Sequence, residues 1–246
     1  MTGKQFFVIA ALSLIVGTTF LSLDFLLLTG FLQGEVAQVS EPANVSPATA
    51  APGQETGFMA LVTDPQAVAL TLDEVPLDFH LERANSGYVD NSKALLESSN
   101  PQEAWLEMEL TGRMNGYQVV FSSDDPQAHT VYILNVVQTY RSVEGARQAL
   151  DVSPPYTPFL EGALYTLEET SALQIGETSR AWRVFLPSRE AGKEDMAACV
   201  LLFQRNNVLV EVALLGKHDY PLLEEAAWYA QSVDRRIRSF GRGQAS

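Results

Sequence analysis

The sequence predicts an α+β protein: an antiparallel sheet with helices packed on one side, preceded by an N-terminal transmembrane helix and a flexible linker. Three observations carry that expectation. Residues 1–32 hold only two charged side chains, Lys4 and Asp24. Short segments with strand patterning, joined by turn residues, fill the middle of the remaining chain. An apolar stripe with helical period closes it near the C-terminus. Antiparallel strand pairs with helices before, between and after them make α+β the expected class.

The N-terminal run comes first. Residues 6–23 are uncharged over eighteen positions, close to the ~20 that a helix needs to cross a hydrocarbon core. A carboxylate at the bilayer centre costs about 2.5–3.5 kcal/mol. Asp24 lies about 27 Å along the helix from Phe6, at the far interface, where that cost largely vanishes. Lys4 precedes the run, Glu35 and Glu41 follow it, and the next basic residue is Arg83. The positive-inside rule then puts the short N-terminus in the cytoplasm and everything after the span outside. Ala48-Thr49-Ala50 has the small-residue pattern of a cleavage site, but it is far beyond the end of the apolar run at Leu32. Residues 1–33 therefore read as an uncleaved signal anchor.

Residues 34–57 change character. Pro42, Pro47 and Pro52 are spaced among small and polar residues, without aromatics. Such a segment cannot bury enough surface to offset its ordering entropy, so it reads as a flexible tether. Asn44-Val45-Ser46 matches a glycosylation acceptor.

Residues 58–246 are one domain's worth of chain, large enough for a real core. Asp64-Pro65 reads as an N-cap and a proline at the first helical position. Thr71 and Glu74 have capping-box spacing before a short turn that Pro76 ends. Residues 77–82 alternate strictly and predict a half-buried strand. Asn100-Pro101-Gln102-Glu103 repeats the cap, proline and acid pattern, opening a helix to Leu110 that Gly112 and Gly116 break. Residues 117–121 and 129–137 form an expected hairpin. Residues 142–150 read as a short helix stopped by Pro154-Pro155, and residues 159–175 fit either helix or strand. Three strands follow over residues 182–186, 197–204 and 208–214, with Asn206-Asn207 in a tight turn.

Asp219 and Pro221 open the expected C-terminal helix, with Glu224 and Glu225 in its first turn. Leu223, Ala227, Ala230, Val233, Ile237 and Phe240 share one face. The expected partner is the strand 208–214, whose Val208, Val210, Val212 and Leu214 share one side.

Charge and cysteine content exclude several functions. The chain carries 16 Lys+Arg against 30 Asp+Glu, a formal net charge of −14. Without Lys4 and the acids Asp24, Glu35, Glu41 and Glu55, the domain keeps 15 basic against 26 acidic residues. A phosphate-binding surface needs a basic patch, so nucleic acid is not an expected partner. One cysteine, Cys199, allows neither an internal disulfide nor a Cys-rich zinc module.

The remaining candidates for chemistry are few. His80, His129 and His218 lack the close spacing of a local metal motif and read as surface or edge residues. Cys199 sits within an apolar strand as a small hydrophobe, without a local base. Asp124-Asp125 lies in a turn with too few oxygen ligands for calcium. The adjacent pairs Glu168-Glu169 and Glu224-Glu225 read as solvated faces. Trp105, Trp182, Trp228, Tyr88 and Tyr117 read as core rather than as an aromatic platform. Arg180 and Arg183 flank Trp182 and read as structural partners of nearby acids, with an anionic ligand as the other use. Nucleophile-elbow, P-loop, dinucleotide-binding and zincin motifs are absent. No catalytic, cofactor-binding or metal-ligating residue is assigned, and no cofactor is expected.

Three stretches carry a resemblance: Gly112-Arg113 with Gly116-Tyr117, then Ile175-Gly176-Glu177, and Phe203-Gln204-Arg205-Asn206-Asn207 before the terminal helix. With the anchor and tether, they resemble bacterial single-pass, membrane-anchored extracytoplasmic α+β proteins of actinobacterial and Chloroflexi type. They are more distantly similar to the extracellular sensor domains of actinobacterial receptor kinases. The resemblance implies a non-enzymatic sensing or binding module, held to the lipid bilayer by its N-terminal helix. Its partner is then an envelope protein or a small ligand. An extracytoplasmic enzyme without a recognisable motif, or a structural envelope adaptor, is the alternative.

Overall fold

Long β-branched and aliphatic runs pair antiparallel throughout. The strands are β1 (Phe79–Leu81), β2 (Gly87–Tyr88), β3 (Arg113–Ser123), β4 (Thr130–Tyr140), β5 (Thr166–Thr170), β6 (Thr178–Leu186), β7 (Met196–Arg205) and β8 (Val208–Lys217). Their order is β1-β3-β4-β8-β7-β6-β5, and β2 joins β1 along the outer side of β3. The computed structural model describes residues 61–98, 100–152, 165–171, 173–188 and 194–240. Residues 1–57, read as anchor and tether, Pro154-Pro155 and residues 159–164 lie outside the described residues. Among the described residues no helix is long and apolar enough to cross a membrane.

Among the described residues four α-helices accompany the sheet: α1 (Asn91–Glu97), α2 (Pro101–Thr111), α3 (Val143–Val152) and α4 (Leu222–Phe240). They cover both faces, which corrects the expectation of a one-sided packing. Val208, Val210, Val212 and Leu214 of β8 pack with Leu223, Ala227, Ala230, Val233 and Ile237 of α4, as the pattern of both segments predicts. Leu209 and Ala213 turn to the opposite face, where Ala146, Ala149 and Leu150 of α3 meet Trp182, Val200 and Leu202. The physical sign of this double cover is in β7, apolar at every position from Ala197 to Phe203, as burial on both faces requires.

Local chemistry sets most element ends as read. Asp64 accepts the Gln66 N–H at 3.0 Å and opens the 3-10 helix Pro65–Val68. Thr71 and Glu74 form the capping box of Leu72–Glu74. Asn100 caps α2, which ends at Gly112 in the left-handed region, φ 69°. Asn206 has φ 53°, the conformation the β7–β8 turn demands. Gly116, expected to interrupt the chain, instead lies inside β3 next to a bulge between Arg113 and Asn115. A Cβ on Gly116 would sit 2.6 Å from the Arg113 guanidinium, so the glycine makes room for that side chain. α1 went unread in the sequence, although Asp90 caps it by accepting the Lys93 N–H at 2.7 Å.

Two buried asparagines tie the N-terminal segment 61–76 across the α4 side of the sheet. Asn135 accepts the Leu70 N–H at 2.9 Å and donates to the Glu211 carbonyl at 3.0 Å. Asn207 holds Val62 and the Tyr140 carbonyl. Val62, Val68, Leu70 and Phe79 then join the same core cluster as α4. Glu74 completes the contact, accepting from Ser232 at 2.5 Å and pairing with Arg236 at 2.8 Å.

Candidate functional site

Where α4 stops short of the β5 edge, its face of the sheet is left open as a cleft of about 430 Å³. The register builds its floor. Glu168 of β5 stands opposite Arg183 of β6, and Arg183 stands opposite Cys199 of β7. The next row is Thr166, Phe185 and Ala197. The wall is the turn 218–221 and the first turn of α4, bringing His218, Asp219 and Leu222 to the rim. Four residues weighed one by one in the sequence, Glu168, Arg183, Cys199 and His218, thus line one cleft. Only strand pairing joins them, so no local pattern in the sequence could have found the group.

Burial divides their chemistry. Cys199 is 1% exposed, and burial pushes its thiol up to about 12; Arg183 draws it down and Glu224 adds to the rise. A thiol held protonated is a poor nucleophile. His218 meets the Phe185 ring in a T-shaped contact, with centroids 4.8 Å apart, and among the described residues it makes no hydrogen bond to Cys199. Cys199 therefore serves as part of an apolar floor, as its strand context predicts.

The two arginines beside Trp182 part company. Arg180 shares the Trp182 face, lies 4.7 Å over the indole and pairs with Glu169 at 3.2 Å. Arg183 points to the other face, exposed in the cleft, and among the described residues makes neither an ion pair nor a hydrogen bond. Glu168 is likewise exposed and unpaired there, although it is the residue directly opposite Arg183.

The remaining candidates lie elsewhere. His80 bridges Glu82 and Ser122 at 3.1 Å from an exposed position of β1, and His129 stacks on Tyr220. Asp125 closes its own turn by accepting the Gln127 N–H. Glu225 accepts from Thr130 and Tyr229. Trp182 is buried, while Trp105 and Trp228 are each 53% exposed on separate helices, so the aromatic residues form no common platform. The core reading holds for Trp182 and is corrected for Trp105, Trp228 and Tyr88, the last an exposed ring in edge contact with Tyr117. Among the described residues no group of three His, Cys, Asp or Glu side chains could hold a metal ion.

The buried charged groups Arg113 and Glu211 also escaped sequence reasoning. Arg113 donates to Gln138 at 2.9 Å, Asn91 at 2.6 Å and the Val89 carbonyl at 2.9 Å, pinning α1 to β3. Glu211 lies in the middle of β8 on the α3 side, between Val136 and Leu202 in register, and its Oε1 has no hydrogen-bond partner among the described residues. Burial raises its carboxyl well above the usual range. Alternation within β8 places it on the α3 side, but only the α3 cover makes that side dry.

No protein-family model matches the chain, and no curated protein matches its sequence. The fold is similar to that in the crystal structure of the extracellular domain of PknH from Mycobacterium tuberculosis, with a TM-score of 0.51 and 12% identity. The match covers 74% of this chain and 99% of that one. At such identity the likeness is one of fold alone. It supports, at that level, the similarity to a receptor-kinase extracellular domain read from the sequence.

Proposed function

We propose that this chain is a membrane-anchored extracytoplasmic module that senses a small ligand in the β5–β6–β7 cleft and catalyses no reaction. The observation that carries this reading is the pair Glu168 and Arg183, both exposed in a concave site and unpaired among the described residues. Charged groups held over an apolar floor suit recognition. The buried Cys199 thiol, raised by burial and bonded to no base among the described residues, argues against covalent chemistry. The likeness to an extracellular domain supports placement outside the cytoplasm, and residues 1–33 would hold the protein in the bilayer.

The test has two arms. Protease added to intact spheroplasts should degrade the domain, whereas full protection would refute the orientation. A thermal-shift screen of the full chain in detergent micelles should find a small molecule that raises the melting temperature, because a native-state ligand stabilises by mass action. That shift should shrink clearly in Arg183→Gln.

A second reading has its own observation. α2 turns Trp105, Leu106 and Leu110 outward, and α1 adds Leu96, at 53%, 50%, 72% and 86% exposure. Such a ridge suits an envelope protein as partner, the adaptor reading. In-cell crosslinking from position 106 to a distinct membrane protein, together with an empty ligand screen, would favour it.

A further inference from the structure

The geometry points to a ligand class for the cleft: a free α-amino acid with an apolar side chain, recognised through both its carboxylate and its ammonium group. This inference rests on the sensing role proposed for the same cleft and specifies what it senses.

Directly opposed residues on adjacent antiparallel strands bring their Cβ atoms within about 4.5–5.5 Å, close enough for an acid and a base to pair. On the other face of the same two strands, Glu169 and Arg180 do so at 3.2 Å. Glu168 and Arg183 are better placed in register, yet their charged ends stay apart, both exposed in the cleft. Two opposite charges left unpaired side by side match a ligand that carries both charges itself.

The surroundings separate the two ends. Arg183 is the cation on the floor of the cleft, where a carboxylate would lie, and Pro221, Leu222 and Leu223 form part of its wall. Glu168 and Asp219 supply negative charge for an ammonium group. The same two acids argue against a simple anion such as phosphate, whose charge they would repel. Between the charges, Phe185, Ala197 and the neutral Cys199 thiol offer an apolar floor for an aliphatic or aromatic side chain. A cleft of about 430 Å³ lies at the small end of ligand sites, which suits an amino acid better than a larger metabolite.

The test uses the full chain in detergent micelles, titrated with L-leucine, L-valine, L-methionine and L-phenylalanine. The N-acetyl and amide derivatives of each, together with glucose, AMP, palmitate and inorganic phosphate, are titrated in parallel. At least one free amino acid should bind, and each of its capped forms should bind roughly tenfold more weakly or worse, as expected when one charged contact is lost. Arg183→Gln should abolish the discrimination against the amide, and Glu168→Gln the discrimination against the N-acetyl form. Both side chains are exposed, so unchanged melting temperatures without ligand will show that the variants fold. Equal affinity for free and capped forms would overturn the inference. So would binding of a sugar, nucleotide, fatty acid or phosphate, lost in Arg183→Gln, when no amino acid binds; that outcome leaves the sensing cleft standing. Silence from every probe would overturn both.

Discussion

Asn207 holds Val62 as a neighbouring strand would. Its Oδ1 accepts the Val62 N–H at 2.9 Å, and its Nδ2 donates to the Val62 carbonyl at 2.8 Å. The same Nδ2 reaches the Tyr140 carbonyl at 2.9 Å, so one fully buried side chain joins the start of the described chain to the ends of β4 and β8. Asn207→Ala would strand three backbone groups in a dry site, each costing about 1–3 kcal/mol when unsatisfied. We expect a clearly lower urea midpoint and much faster amide exchange at Val62. Unchanged exchange there would show that burial of Val62 and Val68 alone holds the segment.

Glu211 should make the domain weaker as pH rises. Its folded carboxyl keeps a proton at pH values where the unfolded chain has lost it. Its contribution to stability is therefore complete below the unfolded value of about 4.3 and declines as pH climbs toward the raised folded value. Glu211→Leu removes this penalty, and we expect it to be more stable than wild type by about 1–3 kcal/mol near neutral pH. The gap should widen between about pH 5 and about pH 8. Denaturant melts of both proteins at the two pH values check this, and a gap independent of pH would contradict it.

The pair Arg205–Asp234 should carry more stability than the other ion pairs. It joins the end of β7 to α4 at 2.7 Å, with the side chains only 16% and 5% exposed, and Arg205 also donates to the Gly176 carbonyl at 2.9 Å. Asp234→Ala leaves a guanidinium without its acid and should cost about 3 kcal/mol or more. Adding Arg205→Met should recover part of that loss. A double-mutant cycle measures the coupling directly; independent effects would place the stabilisation elsewhere.

Ile237 and Arg238 are adjacent on α4 but should respond very differently. Ile237 is 1% exposed in the core against the sheet, whereas the Arg238 side chain is 52% exposed and, among the described residues, bonds only to Asp234. Ile237→Asp buries an unpaired charge and should cost several kcal/mol, out of the ~5–15 kcal/mol a domain has. Arg238→Ala should cost under about 1 kcal/mol. Matching melting temperatures for the two variants would mean that α4 does not seal the sheet.

The features legible in the sequence share one property: their interactions close within a few residues. The caps at Asp64 and Asn100, the Thr71–Glu74 box, the positive φ at Asn206 and the buried face of α4 follow from chemistry confined to one turn or one period. Even the match between α4 and β8 was readable, because the two segments are neighbours in the chain and each has a single apolar stripe facing it. β7 lacks such a stripe, and its uniform apolarity carried the two-sided burial in a form that periodicity does not report.

The sequence by itself therefore determined the α+β class, most element ends, the place of Cys199 in the core and the partner of the C-terminal helix. Tertiary structure alone decided that helices cover both faces, that Asn135 and Asn207 bind the N-terminal segment, and that Glu168, Arg183 and Cys199 fall in one row. Strand register explains the difference. It is settled by the summed burial of whole strands, and a slip of one residue would turn Arg183 to the opposite face, away from Glu168 and the cleft.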